Sequence, residues 1–255
     1  MSSDKFSNPG CTPDERIFEH VPALSGQIVK PENSVFRMTR SVIEEWDHLA
    51  AQEGLVDWRY THAARDQLRA QTLEGRLHKD IWIFAYGSLM WDPAFHFEEV
   101  RYATLTGASR SFRLLDTIGR GTPTTPGLMA GLSLGQQCEG LAFRIDAARC
   151  DTETDIIWMR EMICPGYKAE FKPLHTPQGV VEGLAFWLDE SCESCLAPLT
   201  ASDSAKLIRQ GKGPGGTSRE YLEKLVRQLN ILKLHDPSMD ALLALVQSSD
   251  KTVES

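Results

Sequence analysis

No apolar stretch in the sequence approaches the roughly 20 residues of a membrane-spanning helix, so the membrane is not an expected partner. No run of Lys or Arg stands out, and the formal net charge is −8. That balance argues against nucleic acid and anionic lipid surfaces. The opening Met1-Ser2-Ser3-Asp4-Lys5 lacks an apolar core, so it does not read as a secretory signal. A G-x-x-x-x-G-K-[ST] motif is missing, and the Gly-rich Gly211-Lys212-Gly213-Pro214-Gly215-Gly216 is interrupted by Pro, so no nucleotide cradle is expected. That stretch reads as a loop between helices, either mobile or serving as a lid. There is no G-x-S-x-G elbow, and the seven histidines form no H-x-x-x-H pair.

Cysteine is sparse, with six residues in mixed contexts: Cys11, Cys138, Cys150, Cys164, Cys192 and Cys195. Without a signal peptide they read as reduced thiols of a cytoplasmic protein. Cys192 and Cys195 have C-x-x-C spacing, but no second pair completes a zinc site. The motif leads into Leu196-Ala197-Pro198, a loop rather than the helix of a redox motif. Incidental loop cysteines are expected, with thiol-dependent chemistry at Cys192 or Cys195 as the alternative.

What is present is ordinary globular composition: 255 residues, 42% hydrophobic and 24% charged. One domain of about 170–180 residues with an appendage, or two small domains, suits that length. Residues 1–33 carry four prolines and no sustained period, and read as a tail, flexible or draped over the domain. Ser41-Val42-Ile43-Glu44 has a capping-box pattern opening a helix that ends near Gly54, and a second helix is expected within 57–78. From Ile81 onward the pattern changes to strands. Ile81–Ala85, Val100–Leu105, Ser111–Leu115, Leu128–Leu134 and Glu139–Ile145 are separated by turn-formers that include Gly107 and Gly135. A helix from Thr152 stops at Cys164-Pro165-Gly166. Tyr167–Leu174 and Val180–Leu188 then form a hairpin. Three helices follow, opening after Thr200, after Thr217 and at Asp236-Pro237. At least seven strands with few helices between them predict an α+β fold whose strands can close into a small barrel. Residues 1–78 form an N-terminal tail and helical extension, and residues 79–250 the main domain.

Three places carry chemical interest. Tyr86-Gly87-Ser88-Leu89 ends a buried strand in a turn whose N–H groups can form an anion-binding nest, or the turn is an ordinary one. Glu161 lies among Trp158, Met159, Met162, Ile163 and Cys164. A carboxylate there is either a partly desolvated group with a pKa raised toward neutrality, suited to accept and return a proton, or half of an ion pair with a nearby Arg. Arg120, flanked by Gly119 and Gly121, reads as a clamp for a substrate carboxylate or as an exposed loop residue.

Taken together, five ordered blocks resemble the ChaC-type γ-glutamylcyclotransferases, which degrade glutathione. The blocks are Trp82–Trp91, Arg120–Leu128, Cys138–Arg144, Arg160-Glu161-Met162 with Gly166-Tyr167, and Gly213–Leu222. Ala85 replaces a glycine usual in the family, and Ser218-Arg219 stands where an Asn-centred sequence is common. The resemblance implies a small mixed β-barrel with flanking helices. It assigns catalysis to Glu161 and substrate binding to the Tyr86, Gly87, Ser88 and Leu89 turn, with Arg120 and Tyr221 holding the far end of glutathione and Tyr167 shaping the pocket. It also implies a small-molecule substrate and no metal or organic cofactor, with oligomeric state left open. The alternatives are a cyclotransferase for other γ-glutamyl amines or amino acids, and a non-catalytic regulatory binder.

Overall fold

The computed structural model describes residues 16–52 and 54–248. Met1–Lys5, Cys11 and the last two residues of the expected 79–250 domain therefore lie outside the described residues. Five strands, β1 (Ile81–Ala85), β2 (Glu99–Asp116), β3 (Gly127–Ile145), β4 (Tyr167–Thr176) and β5 (Gly179–Leu188), close into a barrel in the order β1-β3-β2-β4-β5. Most pairs are antiparallel. Closure comes from a parallel contact of β1 with β5, pairing Trp82 with Gly183 and Ile83 with Leu184. The barrel is thus mixed, as the family resemblance implied.

All five β1 residues are buried. Trp82 and Phe84 join Leu105, Leu132, Cys138, Leu174 and Trp187 in a cluster drawn only from the barrel strands and the Tyr86 that follows β1. Ile81, Ile83 and Ala85 face the larger core under the helices. A strand covered on both faces reads as a continuous apolar run rather than an alternating one, and β1 does.

The expectation that seven short strands make the barrel is corrected by the structure, which builds it from five. Val100–Leu105 and Ser111–Leu115 belong to one strand, as do Leu128–Leu134 and Glu139–Ile145. Gly107 has φ +79° and lies where the β2–β3 register shifts between Thr106 and Ala108. It makes a bulge, which bends a long strand around a barrel without ending it. The Gly-rich stretch, expected to be a loop, contains two short strands, β6 (Lys212–Gly213) and β7 (Gly216–Thr217), paired as a hairpin. Gly211, Gly213 and Gly216 stand at G-x-G-x-x-G spacing. The hairpin, however, docks on the 119–121 loop, with Gly215 N–H donating to Gly119 C=O at 2.7 Å, and no parallel strand feeds a helix there as in a dinucleotide turn.

Six described helices surround the barrel: α1 (Arg40–Gln52), α2 (His62–Thr72), α3 (Cys150–Glu161), α4 (Ala201–Gln210), α5 (Ser218–Leu232) and α6 (Pro237–Ser248). The Thr200 and Thr217 caps form as expected, the latter in a full capping box with Glu220. At α1 the cap is Thr39, whose hydroxyl accepts from Val42 N–H, rather than Ser41. Helix α3 starts at Cys150, two residues before Thr152, because Asp146 caps the turn that leads into it. The draped reading holds for the described part of the tail: Phe18, Val21 and Leu24 are buried in the main core.

Gly140 shows how tightly β1 lies on β3. A Cβ there would stand 2.3 Å from the Ala85 carbonyl oxygen. Gly140→Ala is expected to destabilise the fold by about 1–3 kcal/mol, read as a lower urea midpoint with an unchanged m-value.

Candidate active site

Helix α3 ends on Glu161 because Cys164-Pro165-Gly166 cannot continue it. The helix is buried nearly all round. Ile157 and Trp158 face the larger core between the helices and the barrel, and Ile156 and Met159 pack on Met38 and Ile43 from the α1 side. The Glu161 side chain is 15% exposed and pairs through Oε1 with Arg160 Nε at 3.0 Å. Burial pushes its carboxyl above the ordinary range, and Arg160 pulls it part of the way back. Both sequence readings of Glu161 therefore hold: it is desolvated, and it is half of an ion pair.

Arg160 carries the connection onward. Its Nη2 donates to Ser88 Oγ at 2.9 Å and its Nη1 to the Asp92 carbonyl. The acid is thereby tied to the turn that follows β1. That turn is a single 3₁₀ turn, Ser88–Met90, entered through Gly87 with no side-chain cap. The first N–H groups of such a turn have no acceptor within it, which leaves them available to an anion. Arg110, which the sequence reading passed over, fixes the entry. Its Nε donates to Tyr86 C=O at 2.7 Å, its Nη2 to Glu139 C=O at 2.7 Å, and it pairs with Asp236. An Arg between two strand-like stretches carries no local signal of that task.

Three phenols converge on Glu161. Tyr86 donates to Phe186 C=O and Tyr167 to Ala130 C=O, both at 2.8 Å. Burial first, and then the Glu161 carboxylate, push Tyr86 well above the ordinary phenol range. Burial, the neighbouring phenols and Glu161 do the same to Tyr167. Burial and Glu161 raise Tyr221 to about 12. All three stay protonated near neutral pH and present O–H groups. Tyr221, in the first turn of α5, stands so close to Gly87 that a Cβ there would meet its hydroxyl at 2.8 Å. A side chain at position 87 would push that phenol away from the turn.

Of the eight expected site residues, Tyr86, Gly87, Ser88, Tyr167, Tyr221 and Glu161 come together. Leu89 lies in the core and offers only its backbone. Arg120 sits farther out, its guanidinium 5.9 Å from the Tyr221 ring centre. The loop that carries it is wound on Asp116, whose carboxylate accepts from the N–H groups of Ile118, Gly119 and Arg120. Ser218, at the family's Asn-centred position, is fully buried and clips Leu128, accepting from its N–H at 3.0 Å and donating to its C=O. It braces the loop from behind. Burial raises the Cys192 and Cys195 thiols, which disfavours the nucleophilic thiolate. Among the described residues no three His, Cys, Asp or Glu side chains converge as a metal site requires.

A closed mixed barrel with a shielded carboxylate beside a ligand-ready turn places the chain in a structural class: the fold of the γ-glutamylcyclotransferases. A crystal structure of a yeast γ-glutamylcyclotransferase specific to glutathione superposes with a TM-score of 0.61 at 22% identity, covering 67% of this chain and 99% of that one. By sequence the assignment is narrower. The ChaC-like protein family model matches residues 81–249, and the chain belongs to that family. It is 36% identical over 168 residues to the glutathione-specific γ-glutamylcyclotransferase of Escherichia coli (strain K12), covering 66% of this chain and 73% of the relative. A human glutathione-specific γ-glutamylcyclotransferase 1 is 29% identical over 150 residues, 57% of this chain and 68% of the relative.

The raised carboxyl of Glu161 has a consequence for stability. The native state holds that proton at pH values where the unfolded chain, with an ordinary Glu pKa of about 4.3, has released it. Folding is therefore favoured below that value and loses this contribution as pH rises through the raised one. Urea titrations between pH 4 and 8 are expected to show wild type losing stability relative to Glu161→Gln as pH rises. A difference that is flat or grows the other way would contradict a raised carboxyl.

Proposed function

We propose that this chain is a glutathione-specific γ-glutamylcyclotransferase, converting glutathione to 5-oxoproline and cysteinylglycine. Family membership and the names of the relatives support the reaction class, and the observation that carries the mechanism is the desolvated Glu161 tied through Arg160 to the Ser88 turn.

In the proposed reaction the substrate's α-amine attacks its own γ-carbonyl. A five-membered lactam forms and the amide bond to the cysteine nitrogen breaks. Because the attack is intramolecular, the protein's main task is to hold the folded conformer, a kind of ordering that reaches effective molarities of about 10⁵–10⁸ M. The proton transfers remain. The α-ammonium, with a pKa of about 8, must lose one proton to attack and a second to become the lactam N–H, and the departing nitrogen must gain one to leave and a second to become an ammonium. Glu161 takes each proton and returns it, so no water or cofactor enters the balance. A carboxyl raised toward neutrality is matched to both steps.

The turn amides at Gly87, Ser88 and Leu89 donate to the substrate, on its carboxylate or on the developing oxyanion. Ser88 contributes its N–H, and its hydroxyl, which accepts from Arg160, keeps its own proton to donate. The neutral phenols of Tyr86, Tyr167 and Tyr221 wall the acid from solvent without adding charge. Arg120 and Tyr221 hold the far end of the tripeptide. Residues 79–250 are the catalytic unit and residues 1–78 an extension. The protein works in the cytoplasm, a setting that suits its free thiols; among the described residues no helix is long and apolar enough to cross a membrane.

Glu161→Gln keeps size and hydrogen bonding but cannot carry the proton. Release of 5-oxoproline from glutathione is expected to fall by roughly 10²–10⁴-fold, and wild-type turnover by that variant would overturn the mechanism. On a panel of γ-glutamyl amines and γ-glutamyl amino acids, wild type is expected to turn over glutathione alone. Equal turnover of the others would make it a broader cyclotransferase.

A further inference from the structure

The Arg160–Glu161 pair is braced from a part of the chain that precedes the family-matched region. We propose that Phe36 is a positioning residue for Glu161, acting through Arg160, so that the amino-terminal extension is a working part of the acid–base site. The proposal rests on the reading of Glu161 as the proton carrier.

Arg160 is 7% exposed on its side chain and spends its donors on Glu161, Ser88 and the Asp92 carbonyl. The Phe36 ring lies over the guanidinium, 5.0 Å from its carbon, within cation–π range. Phe36 belongs to none of the buried apolar clusters of the described residues. The ring is thus not there to fill the core.

The backbone around Phe36 is pinned on three sides, which makes the placement a built one. Ser34 Oγ donates to Asp92 Oδ1 at 2.6 Å and accepts from Phe36 N–H at 3.1 Å. Arg37 grips Glu153 through two bonds of 2.7 and 3.0 Å and donates to Ala94 C=O at 2.9 Å. Glu153 is 3% exposed and sits on α3, about two turns before Glu161. Met38 and Ile43 then pack on Ile156 and Met159 of the same helix. Residues 34–43 therefore hold both partners of the pair: the helix that carries Arg160 and Glu161, and the Asp92–Ala94 segment that accepts from Arg160.

The groups around Glu161 are Arg160 on its own helix, Tyr86 after β1, Tyr167 on β4 and Tyr221 on α5. Among these four only Arg160 is charged at neutral pH. Uncovering its face admits water, weakens its hold on the carboxylate and lets the acid wander from the turn.

The test compares Phe36→Leu, which keeps apolar volume without a ring, with Phe36→Ala, Phe36→Trp and the exposed-site control Val35→Ala, each checked for folding by thermal melting. For Phe36→Leu and Phe36→Ala, kcat with glutathione is expected to fall about 3- to 30-fold, the scale of a cation–ring contact, with KM little changed. The acid limb of kcat/KM is expected to move to higher pH, because a loosened Arg160 lowers the carboxyl less. Phe36→Trp should restore both quantities, and Val35→Ala should alter neither. Wild-type kcat and an unmoved acid limb in Phe36→Leu would overturn the proposal. So would a limb displaced to lower pH, which would mean that the ring shields the carboxylate directly. If instead Glu161→Gln keeps full activity, the underlying reading fails first, whatever Phe36 does.

Discussion

The structure depends on keeping one carboxylate out of water without leaving it alone. A buried unpaired charge costs several kcal/mol, and Glu161 also sits at the last turn of a helix, where the dipole is unfavourable to an anion. Arg160 offsets part of that cost at 3.0 Å, yet burial still outweighs it. The residual imbalance is what gives the acid its proposed use. A fully compensated pair would hold its proton too weakly to return it, and an uncompensated one would never release it.

The acceptors of Arg160 beyond Glu161 are held by the barrel. Ser88 and Asp92 belong to the turn that leaves β1, and β1 is covered on both faces and paired on both edges. Arg110 fixes the Tyr86 carbonyl just before the turn begins. A turn hung on a central strand keeps its N–H groups aimed without help from the ligand, so little ordering is left to be done when substrate arrives. The close approach of Tyr221 to Gly87 completes the wall. The mixed barrel matters here chiefly because its closure leaves β1 no free edge along which to slip.

The sequence disclosed these parts unevenly. β1 was legible because double-sided burial writes an unbroken apolar run, and the caps at Thr200 and Thr217 were legible because capping is local chemistry. The strand count was not. Gly107 and Gly135 look the same in sequence whether they end a strand or bend it, and only the pairing across β2 and β3 decides. Glu161 could be singled out by its apolar neighbours, but its partner could be named only as some nearby Arg. Arg110 and Phe36 were invisible for a stronger reason. Each acts across more than 20 residues of chain, on a carbonyl or a guanidinium that no periodicity marks.

That long-range character bears on how the extension relates to the barrel. Phe18, Val21 and Leu24 enter the same core as the barrel's helices, while Arg37 and Met38 hold α3 from its far side. The last two turns of α3 are buried on most sides, so a disturbance on the extension side is passed along the helix toward its end. What lies there is Glu161. The chain N-terminal to β1 therefore acts mechanically on the acid even though none of its described residues touches the turn's open N–H groups. Its removal is a change to the site and not the trimming of a tail.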